Sequence, residues 1–246
     1  MRRTLVLGAT SAIAQAAVRL LALDGDRFFL VARDAAKLRA VTDELTAKGN
    51  APVGTLAADL NDLERHPGVL EEALRALGGL DLLFICHGVL GKPEDYEANY
   101  PAADAVIRTN FLSIVSFLTH AVPHFEKQRS GMIAVVTSVA GDRGRRGNYV
   151  YSASKAGIDV YLQGLRCRLH AAGVSVLTIK PGWVETPMTS HIPKTALFSS
   201  PETVAKGIHR AIRGRKDVVY LPFYWKLVMG LVRALPEGLF KKIGRS

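Results

Sequence analysis

Apolar positions along this chain fall into two alternating rhythms. Short runs with little polar interruption read as strands buried on both faces: Thr4–Leu7, Arg27–Val31, Val53–Ala58, Leu80–Ile85, Met132–Thr137, Val174–Ile179 and Val218–Leu221. Between them, apolar residues recur at three- and four-residue intervals. Ile158, Leu162, Leu165 and Leu169 do so after Tyr151, up to a stop at Gly173. Helices are predicted from Ala12 to about Leu23, after Asp34 to about Lys48, over Pro67–Ala76 and Pro101–Gln128, from Tyr151 up to the stop at Gly173, and over Pro201–Arg213. Strict alternation of strand and helix predicts an α/β, doubly wound, parallel sheet of seven strands. Residues 1–222 are expected to form one domain, and residues 223–246 a C-terminal amphipathic extension; no repeat or linker divides them.

Composition supports one sizeable core, with 246 residues of which 48% are apolar. Two cysteines, Cys86 and Cys167, argue against a disulfide framework and fit a cytoplasmic protein. Cys and His show no metal-ligand spacing, so no metal is expected. Met1-Arg2-Arg3 before an apolar run imitates a secretion signal, but Gly8, Thr10 and Ser11 break the run and suit a turn. No apolar run is read as long enough to span a bilayer. The net charge of +10 points to an anionic ligand or surface. Aromatic and basic residues are not interleaved as nucleic-acid binding would require, so no nucleic acid is expected. The tail sets Lys226, Arg233, Lys241, Lys242 and Arg245 against Glu237, among Phe223, Tyr224, Trp225 and several aliphatics. Such a segment suits peripheral contact with a membrane, and equally packing on the domain or on a second subunit.

The candidate chemistry begins at Tyr151 and Lys155, four apart and so on one face of a helix. A cation roughly 4 Å from a phenol favours the phenolate by about 4 kcal/mol at an effective dielectric near 20, enough to bring a Tyr from about 10 to about 7. A general acid or base works best near the working pH. Ser138 stands at the carboxyl end of a predicted parallel strand, where open α/β sheets bind ligands. Thr137 alternates to the other face. Asn110 interrupts an apolar helix where its amide is unfavourable by propensity. Gly8 to Ile13 reads as a turn into a helix N-terminus, a ready anion site. Arg143, Arg145 and Arg146 crowd a glycine-rich loop and suit a phosphate clamp or a solvated basic loop.

Taken together, the Gly8 turn, Asn110, Ser138 and Tyr151-x-x-x-Lys155 resemble the short-chain dehydrogenase/reductase family, over about Leu5 to Thr186. Among its members the chain is most similar to the decaprenylphosphoryl-2-keto-ribose reductases, through its Gly141–Tyr149 loop, residues 188–191 and Leu239–Lys242. The resemblance implies a Rossmann fold and hydride transfer between a nicotinamide cofactor and a carbonyl or alcohol. It implies Ser138, Tyr151, Lys155 and Asn110 as catalytic, with Asn110 kinking its helix and holding a proton-relay water. It implies a cofactor cradle of Gly8, Thr10, Ser11, Ala12, Ile13, Arg33, Asp59, Leu60, Gly88, Tyr151, Lys155, Pro181, Gly182, Val184 and Thr186. Ala12 and Ala14 replace two glycines of the family's Gly-x-x-x-Gly-x-Gly, and Cys86-His87-Gly88 departs from its Asn-Asn-Ala-Gly. Arg33, where an acidic residue would hold the ribose hydroxyls, favours NADP over NAD. The implied substrate is a lipid-linked keto-sugar; a 3-oxoacyl thioester, or a non-catalytic NADP sensor or scaffold, are the alternatives. The helices bearing Asn110 and Tyr151 imply a homodimer or homotetramer.

Overall fold

The computed structural model describes residues 1–50 and 52–243 of the chain, so Arg245 of the tail lies outside the described residues. Strands β1 (Arg3–Leu7), β2 (Arg27–Ala32), β3 (Gly54–Ala57), β4 (Leu82–Ile85), β5 (Met132–Val136), β6 (Ser175–Pro181) and β7 (Val218–Leu221) form one parallel sheet in the order β3-β2-β1-β4-β5-β6-β7. All seven predicted strands are present, with ends shifted by a residue or two.

Side-chain alternation explains the two layers. Val6, Phe28, Leu30, Leu82 and Phe84 face helices α1 (Ala12–Leu23), α2 (Ala35–Ala47) and α8 (Pro201–Arg213). Their neighbours Leu5, Leu7, Phe29, Leu83 and Ile85 face α3 (His66–Leu77), α6 (Ser113–Gln128) and α7 (Tyr149–His170). Both faces are covered, which is why the strands read as unbroken apolar runs. Ala14, one of the two alanines in the first turn of α1, is fully buried against the sheet.

Two short helices precede α6: α4 (Pro93–Ala98), which the periodicity did not suggest, and α5 (Tyr100–Ile107). Between α5 and α6 the backbone widens into a π turn over Arg108–Leu112. The stretch Tyr100–Gln128 is therefore one continuous helical run, long and apolar enough by length and composition to cross a bilayer. This corrects the expectation that no segment reaches that length. Its apolar side, Ile114, Phe117, Leu118 and Phe125, is packed on the sheet and fully buried.

Sheet order reverses between β1 and β4, and open sheets bind ligands at the carboxyl ends beside such a point. After β7 the chain forms α9 (Tyr224–Ala234) and α10 (Glu237–Ile243), which return to that end. Trp225 and Met229 are buried with Val139, which lies in the turn just after β5. The Arg143 guanidinium donates to the carbonyls of Val232 and Leu235 at 2.6 Å each. It also donates to Glu237 at 2.8 Å and stacks over Phe240 at 3.8 Å.

Candidate active site

The carboxyl ends of the strands open into a cleft of about 1240 Å³. Its lining holds every predicted site residue except Asn110, which lies directly behind it. After β1 the chain turns at Gly8, whose N–H donates to Val31 O at 2.9 Å. Helix α1 then starts behind Ser11 with no side-chain cap and no carboxylate in its first turn. Its free N–H groups favour an anion. Thr10, Ser11, Ala12 and Ile13 line the cleft here. Farther along, Arg33 is exposed at the end of β2. Asp34 beside it is committed elsewhere: its carboxylate accepts the Ala36 and Lys37 N–H groups and caps α2. Lys37, one turn beyond Arg33, also lines the cleft, its ammonium 3.5 Å from Asp34 Oδ2; the sequence reading missed it. Asp59 accepts the Asn61 N–H at 2.9 Å and still faces the cleft; Leu60 is buried behind it.

Gly88 leaves a cradle that a side chain would fill: a Cβ there would meet Asn110 Oδ1 at 3.0 Å and Lys155 Nζ at 3.4 Å. Asn110 is fully buried inside the π turn. Its Oδ1 accepts the Val89 N–H, while its Nδ2 donates to Val89 O and to Ser154 Oγ. The amide is thus spent on protein partners, and its visible work is to fasten the β4 exit to the widened turn. His87 also lines the cleft. Ser113 Oγ donates to Thr109 O and so receives the His87 Nε2–H at 2.8 Å. Burial, with Lys155 nearby, pushes the His87 pKa down to about 3, so the ring is neutral.

Ser138 ends the β5 run, and its Oγ accepts the Ala140 N–H. Thr137 turns away and donates to Ile179 O. Tyr151 and Lys155 share the inner face of α7, with Lys155 buried and its Nζ 5.8 Å from the Tyr151 ring centroid. Nζ donates to Val136 O at 3.3 Å. Burial raises the Tyr151 pKa from its ordinary value, opposed by a hydrogen bond from the Ser138 hydroxyl. Burial also pushes Lys155 down to about 8. The expectation of a lowered Tyr151 pKa is corrected in direction: withdrawal of the phenol from water favours its neutral form. At neutral pH the phenol is protonated, as a proton donor must be.

At the far wall, Pro181, Gly182, Val184 and Thr186 line the cleft beside Met188, His191 and Ile192. Leu197 and Phe198 lie outside the lining; Phe198 stacks on Trp183 at 5.5 Å. Trp225 comes from α9 to sit against Gly182, where a Cβ would collide with its indole ring. Its indole N–H and His87 Nδ1 are buried polar atoms without a hydrogen-bond partner among the described residues. Sequence reasoning missed Trp225 because only the fold returns the tail to this wall.

The three loop arginines part company. Arg143 clamps the tail, Arg146 is exposed to solvent, and Arg145 lines the cleft. Burial alone pushes the Arg145 pKa below its ordinary value, with no carboxylate offsetting it.

The sequence profile of the short chain dehydrogenases matches residues 2–196. An uncharacterized oxidoreductase of Streptomyces coelicolor is 36% identical over 98% of this chain and 96% of its own length. One from Mycobacterium tuberculosis is 32% identical over 98% and 96%. An actinorhodin polyketide ketoreductase variant solved with NADPH superposes with a TM-score of 0.81 at 22% identity, covering 91% of this chain and 97% of that one. The protein gox2181 superposes at 0.80 and 21% identity, over 90% and 95%; both likenesses concern the fold. The chain belongs to the short chain dehydrogenase family and is an oxidoreductase of the kind that works with a nicotinamide cofactor.

Proposed function

We propose that the protein is an NADP-dependent reductase of a carbonyl compound that carries an anionic group. The observation that carries this reading is the constellation of half-buried Tyr151 with buried Ser138 and Lys155 on the floor of the cleft. The nicotinamide supplies the hydride when bound. Ser138 then orients the substrate oxygen, Tyr151 gives it a proton, and charged Lys155 steadies the phenolate left behind. Asn110 holds the Val89 segment and the π turn beside Lys155, so any water relay to Lys155 runs along that turn's backbone and not through the committed amide. The exposed Tyr100, Leu112, Tyr149 and Val160, on the helices bearing Asn110 and Tyr151, suit a homodimer or homotetramer.

Arg33 and Lys37 support NADP, since two cations at the end of β2 suit a 2′-phosphate. Titrating the protein with NADPH and NADH, followed by nicotinamide fluorescence, tests this. NADPH is expected to bind more tightly, and Arg33→Ala to remove about tenfold or more of that preference, the scale of one charged hydrogen bond. Equal affinities in the wild type overturn the assignment.

Arg145 supports an anionic substrate. A guanidinium partly withdrawn from water with no carboxylate to match it gains from a phosphate on the ligand. A keto-sugar on a lipid phosphate meets both this demand and the apolar Met188 and Ile192. The test compares kcat/KM for a phosphate-bearing ketone and its uncharged analogue. Arg145→Ala is expected to lower the first by about tenfold or more and leave the second within twofold. No phosphate dependence in the wild type favours a 3-oxoacyl thioester instead.

A further inference from the structure

We propose that the outer face of α9 docks on an anionic lipid bilayer. Helix α9 is apolar nearly all round, yet only one side of it is covered. Trp225, Val228, Met229 and Val232 pack inward. On the opposite side Phe223, Leu227 and Leu231 are 77%, 66% and 73% exposed, and their four-residue spacing aligns them in one stripe. Gly230 and Ala234 extend the stripe with small exposed residues, and Leu239 of α10 is 49% exposed. An apolar stripe of this kind on a folded surface marks an interaction site.

Charge selects the occupant. Lys226 and Arg233 flank the stripe, and Lys241 and Lys242 lie beyond it, all exposed. The one carboxylate of the described tail, Glu237, is paired with Arg143 at 2.8 Å. A second copy laid on this face would bring the same cations against each other, on a chain already at +10. A bilayer with anionic headgroups offers apolar depth to the leucines and negative charge to the rim together. The face is also preformed. Arg143 fixes the end of α9 from the protein side, so docking does not have to order a free tail.

The same helix carries Trp225 into the cleft and Tyr224 to the Leu197 carbonyl at 3.2 Å. Docking would therefore set the cleft wall close to the lipid. This surface stands whatever the substrate is, because none of its residues lines the cleft.

Cosedimentation with sucrose-loaded vesicles tests it, using phosphatidylcholine alone and an equal mixture with phosphatidylglycerol. The wild type is expected to pellet with the mixed vesicles and to stay in solution with phosphatidylcholine. Leu227→Glu/Leu231→Glu and Lys226→Glu/Arg233→Glu are each expected to weaken pelleting by about tenfold or more, with unchanged melting temperatures because all four positions are exposed. Failure of the wild type to pellet with anionic vesicles overturns the proposal. So does pelleting that both double variants retain. A dimer in sedimentation velocity that Leu227→Glu/Leu231→Glu splits, without any vesicle binding, assigns the face to a second copy and overturns it equally.

Discussion

Tyr151→Phe is expected to keep NADPH binding and to lower kcat for carbonyl reduction by about 10²–10⁴-fold, the usual contribution of a positioned proton donor. The substitution removes one oxygen and leaves the ring on α7, so the fold should be unaffected. The pH profile adds a second reading. Lys155 is charged below about 8 and neutral above it. As pH rises through that value, the phenolate formed by proton donation loses the cation that steadies it, so reduction by the wild type is expected to slow. His87, held neutral down to about 3, adds no step between pH 6 and 8. Stopped-flow single turnovers from about pH 6 to about pH 10, on both sides of the Lys155 value, measure both effects. A Tyr151→Phe rate within tenfold of wild type would mean that another group supplies the proton.

Much of this site is local and therefore legible in the chain. Tyr151 and Lys155 are joined by a helix's own geometry, Ser138 by the end of an apolar strand, and Asn110 by being a polar residue where the helix should be apolar. The parallel sheet was equally plain, because strands covered on both faces leave no polar rhythm to confuse them. Electrostatics was harder. The direction of the Tyr151 pKa depends on how much water the surrounding elements exclude, and spacing in sequence carries no such information. The arginine loop shows the same gap: three neighbours of one type divide into a tail clamp, a solvent-facing residue and a cleft residue according to what the folded loop packs against. Groups that meet only in three dimensions, such as Trp225 with Gly182, were out of reach.

Lys180→Met is expected to destabilise the protein by about 3–5 kcal/mol at pH 7, the cost of leaving buried carboxylates without their counter-ion. Lys180 on β6 is 8% exposed and lies between two carboxylates, pairing with Asp142 and, at 2.8 Å, with Asp159. Tyr220 of β7 donates to the second oxygen of Asp142 at 2.8 Å. Asp159 follows Tyr151 and Lys155 at the same spacing on α7, so this cluster ties the catalytic helix to β6 and to the turn after Ser138. Burial raises the Asp159 pKa. Burial also opposes the charge on Lys180, yet Asp159 and Asp142 together hold its pKa above the ordinary value. The two carboxylates are not equivalent to the lysine. Asp159→Asn leaves Lys180 matched by Asp142, one charge to one, and is expected to cost clearly less than Lys180→Met. The pH dependence has a definite sign. A carboxyl whose folded pKa is raised takes up a proton more readily folded than unfolded, so stability is lost as pH rises above the unfolded value. Without Lys180 this penalty grows, and the deficit of Lys180→Met is expected to shrink as pH falls from 7 to 5. Urea unfolding of both variants at the two pH values measures it. Equal costs for the two substitutions, or a deficit indifferent to pH, would show that the lysine's contribution is packing of its aliphatic stem and not charge.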